Sequence, residues 1–155
     1  MLKKFIIIFL FLNLVSHCGF APLHSNKFSE KFSISNVSFQ GNKEINNYLK
    51  VNLKQFQDRN YKNEFELDIN TKLSKDILAK DLSAKITNYK LRSTSVIQIS
   101  SNGQLIKEIE VSQNKNIENY DDKYEEIKKE INIIQNFASR ITEEIITEIS
   151  ILNDN

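Results

Sequence analysis

The fold is decided in the stretch FELDINTKL, residues 65–73. Its odd-numbered positions hold Phe, Leu, Ile, Thr and Leu, and its even-numbered positions hold Glu, Asp, Asn and Lys. A period of two places the first set of side chains on one face of a β-strand and the charged or polar set on the other. The stretch therefore predicts a strand that buries one face.

The residues before this stretch predict a strand and then a helix. Apolar residues alternate with polar ones from residue 32 to residue 39, but the parity changes near Ser35-Asn36. We therefore expect one strand with a bulge or irregularity. Gly41 ends this strand, and Asn42 is a suitable N-cap for a helix of about four turns that ends near Arg59-Asn60. An apolar stripe recurs at helical spacing, with Tyr48 beside it: Ile45, Leu49, Leu53 and Phe56.

The residues after this stretch predict a long or broken strand and a hairpin. Apolar residues alternate in three successive groups: Leu82, Ala84 and Ile86, then Tyr89 and Leu91, then Ser95, Ile97 and Ile99. Asn102-Gly103 is the strongest hairpin signal in the chain. Ile97 must then share a face with Ile109, whereas a two-residue loop alone would place it opposite Glu108. We therefore expect an odd-length loop or a bulge.

The C-terminal segment, from Asp121 to about Leu152, predicts a long helix. Its apolar residues step by three or four: Tyr124, Ile127, Ile131, Ile134, Ala138, Ile141, Ile145 and Ile149. Acidic residues crowd its first turns, where the helix dipole favours negative charge. The order of elements predicts an α+β fold. We expect an approximately four-stranded, largely antiparallel sheet with two helices packed on one face, a short helix after the first strand and a long C-terminal one.

The first seventeen residues have the pattern of a lipoprotein signal peptide. Lys3 and Lys4 precede a run over residues 5–15 that is apolar except for Asn13. The run is too short to cross a hydrocarbon core of ~30 Å as a helix, and it has the length of a signal-peptide apolar region. A buried segment of a cytosolic domain is the alternative, but position, charge and length all favour export.

Cys18 is the only cysteine and follows the apolar run after Ser16 and His17. Bacterial lipoproteins carry a diacylglyceryl and an N-acyl group on a cysteine in this place, and two or more chains give stable anchoring. His17 departs from the small residue that usually precedes such a cysteine, so a signal peptide cut elsewhere stays open as an alternative. We predict a lipidated N-terminus and tether over 18–30 and a single α+β domain over 31–152, with no cofactor besides the lipid.

Residues that could support catalysis are scarce. The two histidines, His17 and His24, precede the predicted domain, so it can build neither a Ser-His-Asp nor a Cys-His constellation. The three glycines are isolated, which excludes a phosphate-cradling loop. A carboxylate pair could catalyse, but solvated helix faces account better for the many Asp and Glu residues. The formal charge of +1 gives no nucleic-acid signal. We predict a protein that is not an enzyme and does not bind nucleic acid.

Charge is distributed unevenly along the predicted domain. Residues 69–107 hold seven Lys/Arg and two Asp/Glu, whereas residues 108–155 hold five Lys/Arg and twelve Asp/Glu. A basic strand surface formed by Lys80, Lys85, Lys90 and Arg92 could attract phosphate or carboxylate groups. Alternatively, these side chains pair with the acidic helix or keep edge strands from aggregating.

Three short motifs, in this order, resemble the LptE family of lipopolysaccharide-assembly lipoproteins. Cys18-Gly19-Phe20-x-Pro22-Leu23 is similar to the start of the mature family members. The stretch ITNYKLR, residues 86–92, resembles the family's central strand, which precedes a hairpin. Ala138-Ser139-Arg140-Ile141 resembles part of the family's closing helix.

The resemblance implies a location and a role. The protein is expected on the periplasmic face of the outer membrane of a Gram-negative bacterium, lipid-anchored at Cys18. There it would plug the lumen of an LptD-like β-barrel, help that barrel assemble, and bind lipopolysaccharide during its transport. Lys85, Lys90 and Arg92 are the candidate lipopolysaccharide contacts. An outer-membrane adaptor of an envelope or secretion complex is the alternative, and a small periplasmic enzyme is a third hypothesis that no motif supports.

Overall fold

The computed structural model describes residues 32–57, 59–120 and 122–154. Along these residues the elements follow one another as β1 (Phe32–Gly41), α1 (Lys43–Gln57), β2 (Asn63–Lys80), β3 (Ile86–Ser101), β4 (Gln104–Glu118) and α2 (Lys123–Asn153). The α+β class, the short helix after the first strand and the long C-terminal helix are confirmed. Cys18, His17 and the predicted segments 1–17 and 18–30 lie outside the described residues and stay predictions.

The four described strands form one mixed sheet in the order β1-β2-β3-β4. β2 pairs with β3 and β3 pairs with β4 in antiparallel register, as hairpins require. β1 pairs with β2 in parallel. Two consecutive parallel strands need a crossover connection, and α1, which lies between them in the chain, supplies it. The sheet is therefore largely antiparallel, with one parallel pair at the β1 edge.

The predicted irregularity in β1 is a β-bulge. The register with β2 shifts between Ile34 and Asn36, so that Ile34 lies opposite Phe65 and Val37 lies opposite Leu67. The extra residue returns the apolar side chains after the bulge to the buried face. The parity change in the sequence therefore located the bulge correctly.

Gly41 and Asn42 turn the chain from β1 into α1. The φ angle of Gly41 is +87°, and a Cβ atom added there would lie 1.9 Å from the carbonyl oxygen of Thr71. Only glycine fits, since the backbones of β1 and β2 approach each other closely at this point. The Asn42 side-chain oxygen accepts a hydrogen bond from the backbone N–H of Ile45 at 3.0 Å. The predicted N-cap is confirmed.

The turn between β2 and β3 corrects the sequence prediction. β2 continues beyond residue 73 to Lys80, and Leu82 and Ala84 lie in the turn, so their assignment to a strand was wrong. The Asp81 carboxylate accepts hydrogen bonds from the backbone N–H groups of Ser83 at 2.8 Å and Lys85 at 2.9 Å. Asp commonly forms such local bonds in turns, and the apolar alternation around it was coincidental.

The β3–β4 hairpin closes through Asn102 and Gly103, whose φ angles are 52° and 74°. Both values suit a two-residue turn with left-handed central residues. A bulge between Ile99 and Ser100 shifts the register, so that Ile97 lies opposite Ile109. The expected bulge is confirmed, and it brings the two isoleucines onto the same face.

The core lies between one face of the sheet, here called the inner face, and the two helices. Phe32 of β1 stacks on Phe56 of α1 at 6.2 Å between ring centroids and meets Phe65 edge-on at 6.1 Å. The two helices are joined by a hydrogen bond from Asn52 Nδ2 to Thr142 Oγ1 at 3.3 Å. The opposite face of the sheet, the outer face, has no helix over it in the described part of the chain.

The two ends of the sheet differ in how they are covered. In the proximal half, β1 (Phe32–Gly41) and α1 (Lys43–Gln57) lie beside the C-terminal part of α2. The distal half consists of residues 72–80, 86–94 and 112–118 with the start of α2, and α1 does not reach it because the chain folds back at Gly41. Three residues of the predicted apolar stripe are consequently exposed: Tyr124 at 69%, Ile127 at 54% and Ile131 at 42%.

Candidate binding surface

The outer face of the sheet is polar and divides into two regions of opposite charge. Toward the proximal half, the outward-facing residues of β2 and β4 include Glu66, Asp68, Glu108 and Glu110. Toward the distal half they are followed by Lys72, Lys90 and Arg92, with Asp76 near Arg92 and Glu118 at the end of β4. The three cations are called the basic surface below. Because cations outnumber carboxylates in this region, the uncovered face favours ligands that carry negative charge.

The structure brings together two of the three predicted contact residues. Lys90 and Arg92 point to the outer face of β3, because Leu91 between them is buried in the core. Lys85 lies elsewhere, in the exposed turn at the tip of the β2–β3 hairpin. The parity of β3 therefore places Lys90 and Arg92 on one face, whereas the turn separates Lys85 from them.

Lys72 is a member of the basic surface that sequence reasoning missed. It lies opposite Thr94 on β3, and its neighbour on the same face of β2, Ser74, lies opposite Arg92. The alternation of residues 65–73 already placed Lys72 on the polar face. Its proximity to Arg92 depends on the β2–β3 register, which the position of the turn determines and which the sequence did not reveal.

Arg92 and Lys72 share a depression of about 550 Å³ at the step where β1 ends and β2 continues. Its walls are formed by Gly41, Asn42, Thr71, Lys72, Leu73, Ser74, Arg92 and Thr94. Two cations beside the hydroxyl groups of Ser74 and Thr94 can bind an anionic group with further oxygen atoms, such as a phosphate. The volume is within the range of small-ligand sites.

The cations of this surface are weakly paired. Arg92 Nη2 lies 4.0 Å from Asp76 Oδ2, and the two side chains are 55% and 51% exposed. An exposed pair at this distance contributes about 0–1 kcal/mol, so the guanidinium stays open to a stronger anion. Neither Lys72 nor Lys90 forms an ion pair with another described residue.

Lys75 has a different role, on the inner face. Its Nζ lies 3.0 Å from Glu126 Oε1 and 2.7 Å from Glu130 Oε1, both on α2. The same atom lies 4.3 Å from the centroid of the Tyr89 ring, and Lys123 bonds the second oxygen of Glu126 at 2.7 Å. This ionic cluster (Lys75, Lys123, Glu126, Glu130) attaches the start of α2 to the distal sheet.

The ionic cluster changes the protonation of its members. Hydrogen bonds from Lys123 and Lys75 lower the pKa of Glu126 below its ordinary value, against the opposing effect of burial. Burial alone would lower the pKa of Lys75, but hydrogen bonds to Glu130 and Glu126 raise it above its ordinary value. Lys107 likewise pairs with Glu148 of α2. Pairing with the acidic helix therefore occurs for Lys75 and Lys107, two strand residues outside the predicted group of Lys80, Lys85, Lys90 and Arg92.

Neither a metal cluster nor a membrane-crossing helix was found in the part of the chain that the structure describes. No three His, Cys, Asp or Glu side chains among residues 32–57, 59–120 and 122–154 are arranged to hold a metal ion. No helix within those ranges combines the length and apolarity needed to cross a bilayer.

One mixed sheet with both helices on its inner face and a charged outer face places the described domain in the two-layer α+β class. No family model matches the chain, and no curated protein matches it in sequence. Solved structures match its fold. Rare lipoprotein B from Shewanella oneidensis aligns with a TM-score of 0.57 and 12% identity, covering 76% of this chain and 98% of that chain.

Two further lipoproteins have a similar structure. A minor lipoprotein from Acinetobacter baumannii aligns with a TM-score of 0.52 and 20% identity, covering 74% of this chain and 92% of that chain. Lipoprotein B from Nitrosomonas europaea aligns with a TM-score of 0.53 and 12% identity, covering 80% of this chain and 88% of that chain. At these identities the similarity shows a shared fold, which extends over most of each lipoprotein.

Proposed function

We propose that this chain is an outer-membrane lipoprotein of the LptE type. In this proposal the lipid on Cys18 anchors it to the periplasmic face of the membrane, and it binds rather than catalyses. It plugs an LptD-like barrel, assists the assembly of that barrel, and binds lipopolysaccharide on its way outward. The observation that carries the proposal is the fold shared with lipoproteins over nearly their whole length.

The basic surface supports lipopolysaccharide as the ligand. Lipopolysaccharide carries phosphate groups, and a guanidinium such as that of Arg92 can bind a phosphate through two parallel hydrogen bonds. Lys72 and Lys90 add charge on the same face, and Ser74 and Thr94 supply hydroxyl groups beside it. The surface is open, so a large glycolipid can reach it.

The outer face of the sheet also supports the role of a plug. The interior of an outer-membrane barrel is polar, and a polar face that lies against it can exchange its hydrogen bonds to water for hydrogen bonds to the barrel. The core is closed on the inner face by α1 and α2, so the described domain needs no partner to bury its main apolar surface. The barrel would then meet the acidic, proximal part of this face, which leaves the basic surface open to lipopolysaccharide.

Charge reversal tests the lipopolysaccharide site. The double variant Lys90→Glu, Arg92→Glu should bind fluorescent lipopolysaccharide at least about tenfold more weakly than the parent in an anisotropy titration. Lys54→Glu, in the last turn of α1, is the matched control and should bind normally. Equal binding by all three proteins would remove the basic surface from the proposal.

Two further measurements test the anchor and the partner. Intact-mass analysis of the mature protein should report cleavage before Cys18 and two kinds of acyl group on it, and Cys18→Ser should move the protein to the soluble fraction. Extraction in mild detergent should recover a large outer-membrane barrel with the parent protein. Recovery of a secretion complex instead, without affinity for lipopolysaccharide, would select the adaptor function.

A further inference from the structure

A second groove lies on the other side of the molecule, between the free edge of β4 and α2. Its volume is about 420 Å³. Four consecutive residues of β4 and one face of α2 form its walls: Ser112, Gln113, Asn114 and Lys115, with Ile133, Asn136, Phe137 and Arg140. β4 is the last strand in the described sheet. The backbone N–H and C=O groups along its outer edge are therefore available to another strand.

The groove combines an apolar floor with a basic rim. Phe137 and Ile133 of α2 belong to the apolar core or pack against it. Lys115 and Arg140 stand on opposite walls, one on the strand and one on the helix. Neither forms an ion pair with another described residue. Two uncompensated cations on either side of an open groove favour an occupant with negative charge.

Gln113 places a hydrogen-bond acceptor without a donor inside the groove. Its side chain is 7% exposed, and its Nε2 donates to the carbonyl oxygen of Phe137 at 3.0 Å. Its Oε1 atom is buried and accepts no hydrogen bond from the described residues. A buried acceptor without a donor costs free energy, so an occupant that brings an N–H group would stabilise this site.

We propose that this groove binds an extended acidic segment of a partner polypeptide, which adds to β4 as a fifth strand. A peptide satisfies all of these features at once. Its backbone can pair with the edge of β4, as in other cases of strand addition. A side chain that carries an amide or hydroxyl group can supply a donor near Gln113. Apolar side chains can reach Phe137, and acidic ones can pair with Lys115 and Arg140. A free anion would leave the strand edge unused.

This inference does not depend on the basic surface. Lys115 has a simpler explanation, since a lysine on an edge strand discourages unwanted pairing. That explanation assigns no role to Arg140, which lies on the helix, or to the buried Gln113 oxygen. Binding in the groove can therefore be tested separately at the wall formed by α2 and at the backbone edge of β4.

Peptide titration tests the helix wall. The probe is a fluorescent peptide of about six residues, the usual length of a strand, in which the alternate residues that face the groove are Glu, Val and Glu and the others are Thr. The full-length protein in mild detergent should bind it, and should not bind the same peptide with Lys in place of Glu. Arg140→Gln should weaken binding about tenfold. Lys128→Gln, an exposed position on the same helix, should leave it unchanged.

Backbone methylation tests the strand edge. Two further peptides carry N-methyl groups on alternate residues, in the two alternative phases. Strand addition uses the N–H groups of one phase only, so one methylated peptide should lose binding and the other should keep it. Equal binding of both, competition by inorganic phosphate at the same concentration, or an equal effect of Lys128→Gln would overturn the proposal. Lipopolysaccharide binding and barrel recovery would stand in each of these cases.

Discussion

The proximal and distal halves of the sheet are stabilised in different ways. In the proximal half, two helices cover the sheet, and residues such as Ile34, Ile45 and Ile97 are completely buried. In the distal half one helix is attached by the ionic cluster, while Ile127 and Ile131 of that helix are exposed. The difference indicates that apolar packing supplies most of the stability at one end and that the other end leaves apolar side chains of α2 exposed.

The surface charge follows the same division. The outer face is acidic over the proximal strands and basic over the distal ones. The basic surface belongs to the distal half, and the step at the end of β1 lies at the boundary between the halves. Since residues that bind a ligand contribute little to a packed core, charged groups can be placed on the distal half, where fewer apolar side chains are buried, at little cost in stability.

The largest expected effect comes from truncating the same residue type in each half. Ile141 is fully buried, whereas Ile131 is 42% exposed on the same helix. Ile141→Ala should lower the free energy of unfolding by about 3 kcal/mol through lost contacts and a cavity. Ile131→Ala should change it by less than about 1 kcal/mol. Urea titrations of the two variants compare them, and equal losses would abolish the distinction between the halves.

The boundary between the halves should be nearly as sensitive. Gly41→Ala forces a Cβ against the Thr71 carbonyl in a left-handed backbone and should cost about 3 kcal/mol. Gly103 has a similar φ but nothing within 4 Å of a new Cβ, so Gly103→Ala should cost about 1 kcal/mol. Thermal unfolding of both variants measures the difference. Similar losses would mean that backbone conformation alone, and not the close approach of β1 to β2, makes Gly41 necessary.

The proximal half could be predicted well because its signals are local. The alternation of residues 65–73, the parity change at Ser35-Asn36 and the Asn42 cap each reflect backbone geometry within a few residues. The register of the β3–β4 hairpin followed from matching Ile97 to Ile109. Each of these features is determined by residues that are close together in the sequence or that are joined by a single turn.

The distal half could not be predicted as well because it depends on the end of β2. Leu82 and Ala84 continued the apolar alternation, which concealed the turn at Asp81. Without that turn the β2–β3 register was unknown, and Lys72 could not be placed beside Arg92. The exposure of Tyr124, Ile127 and Ile131 was also hidden, since it results from the length of α1 and not from any property of the stripe itself.

The ionic cluster should stabilise the distal half by an intermediate amount. Glu126 is 5% exposed and bonds both Lys75 and Lys123. Glu126→Gln should cost about 2 kcal/mol at neutral pH. Glu125→Gln, which alters an exposed pair at 3.8 Å on the same helix, should cost less than about 0.5 kcal/mol. Chemical unfolding of both variants at one neutral pH measures the difference between their free energies of unfolding.

The pH dependence identifies the cause of that loss. The pKa of Glu126 is lowered by folding from an ordinary value of 4.5. Its contribution is therefore present above about pH 4.5 and disappears as the pH falls through the lower folded value. The parent should lose more stability than Glu126→Gln between neutral pH and about pH 3. Parallel acid curves would show that the cluster acts through packing and not through charge.

The smallest expected effect is a gain, at the tip of the distal half. Ala84 has a φ of +62° in the Asp81 turn, a conformation that costs an L-residue about 1–2 kcal/mol. Ala84→Gly removes this strain but adds about 0.5–1 kcal/mol of chain entropy, so stability should rise by about 0.5 kcal/mol. Ala79→Gly, at the irregularity near the end of β2, is the matched control and should only lose stability, because Ala79 is not among the residues with a positive φ and glycine relieves no strain there. Differential scanning calorimetry should show a higher unfolding temperature than the parent's for Ala84→Gly and a lower one for Ala79→Gly. If both fall, the turn is not left-handed at Ala84, and the end of β2 that sets the distal register must be placed elsewhere.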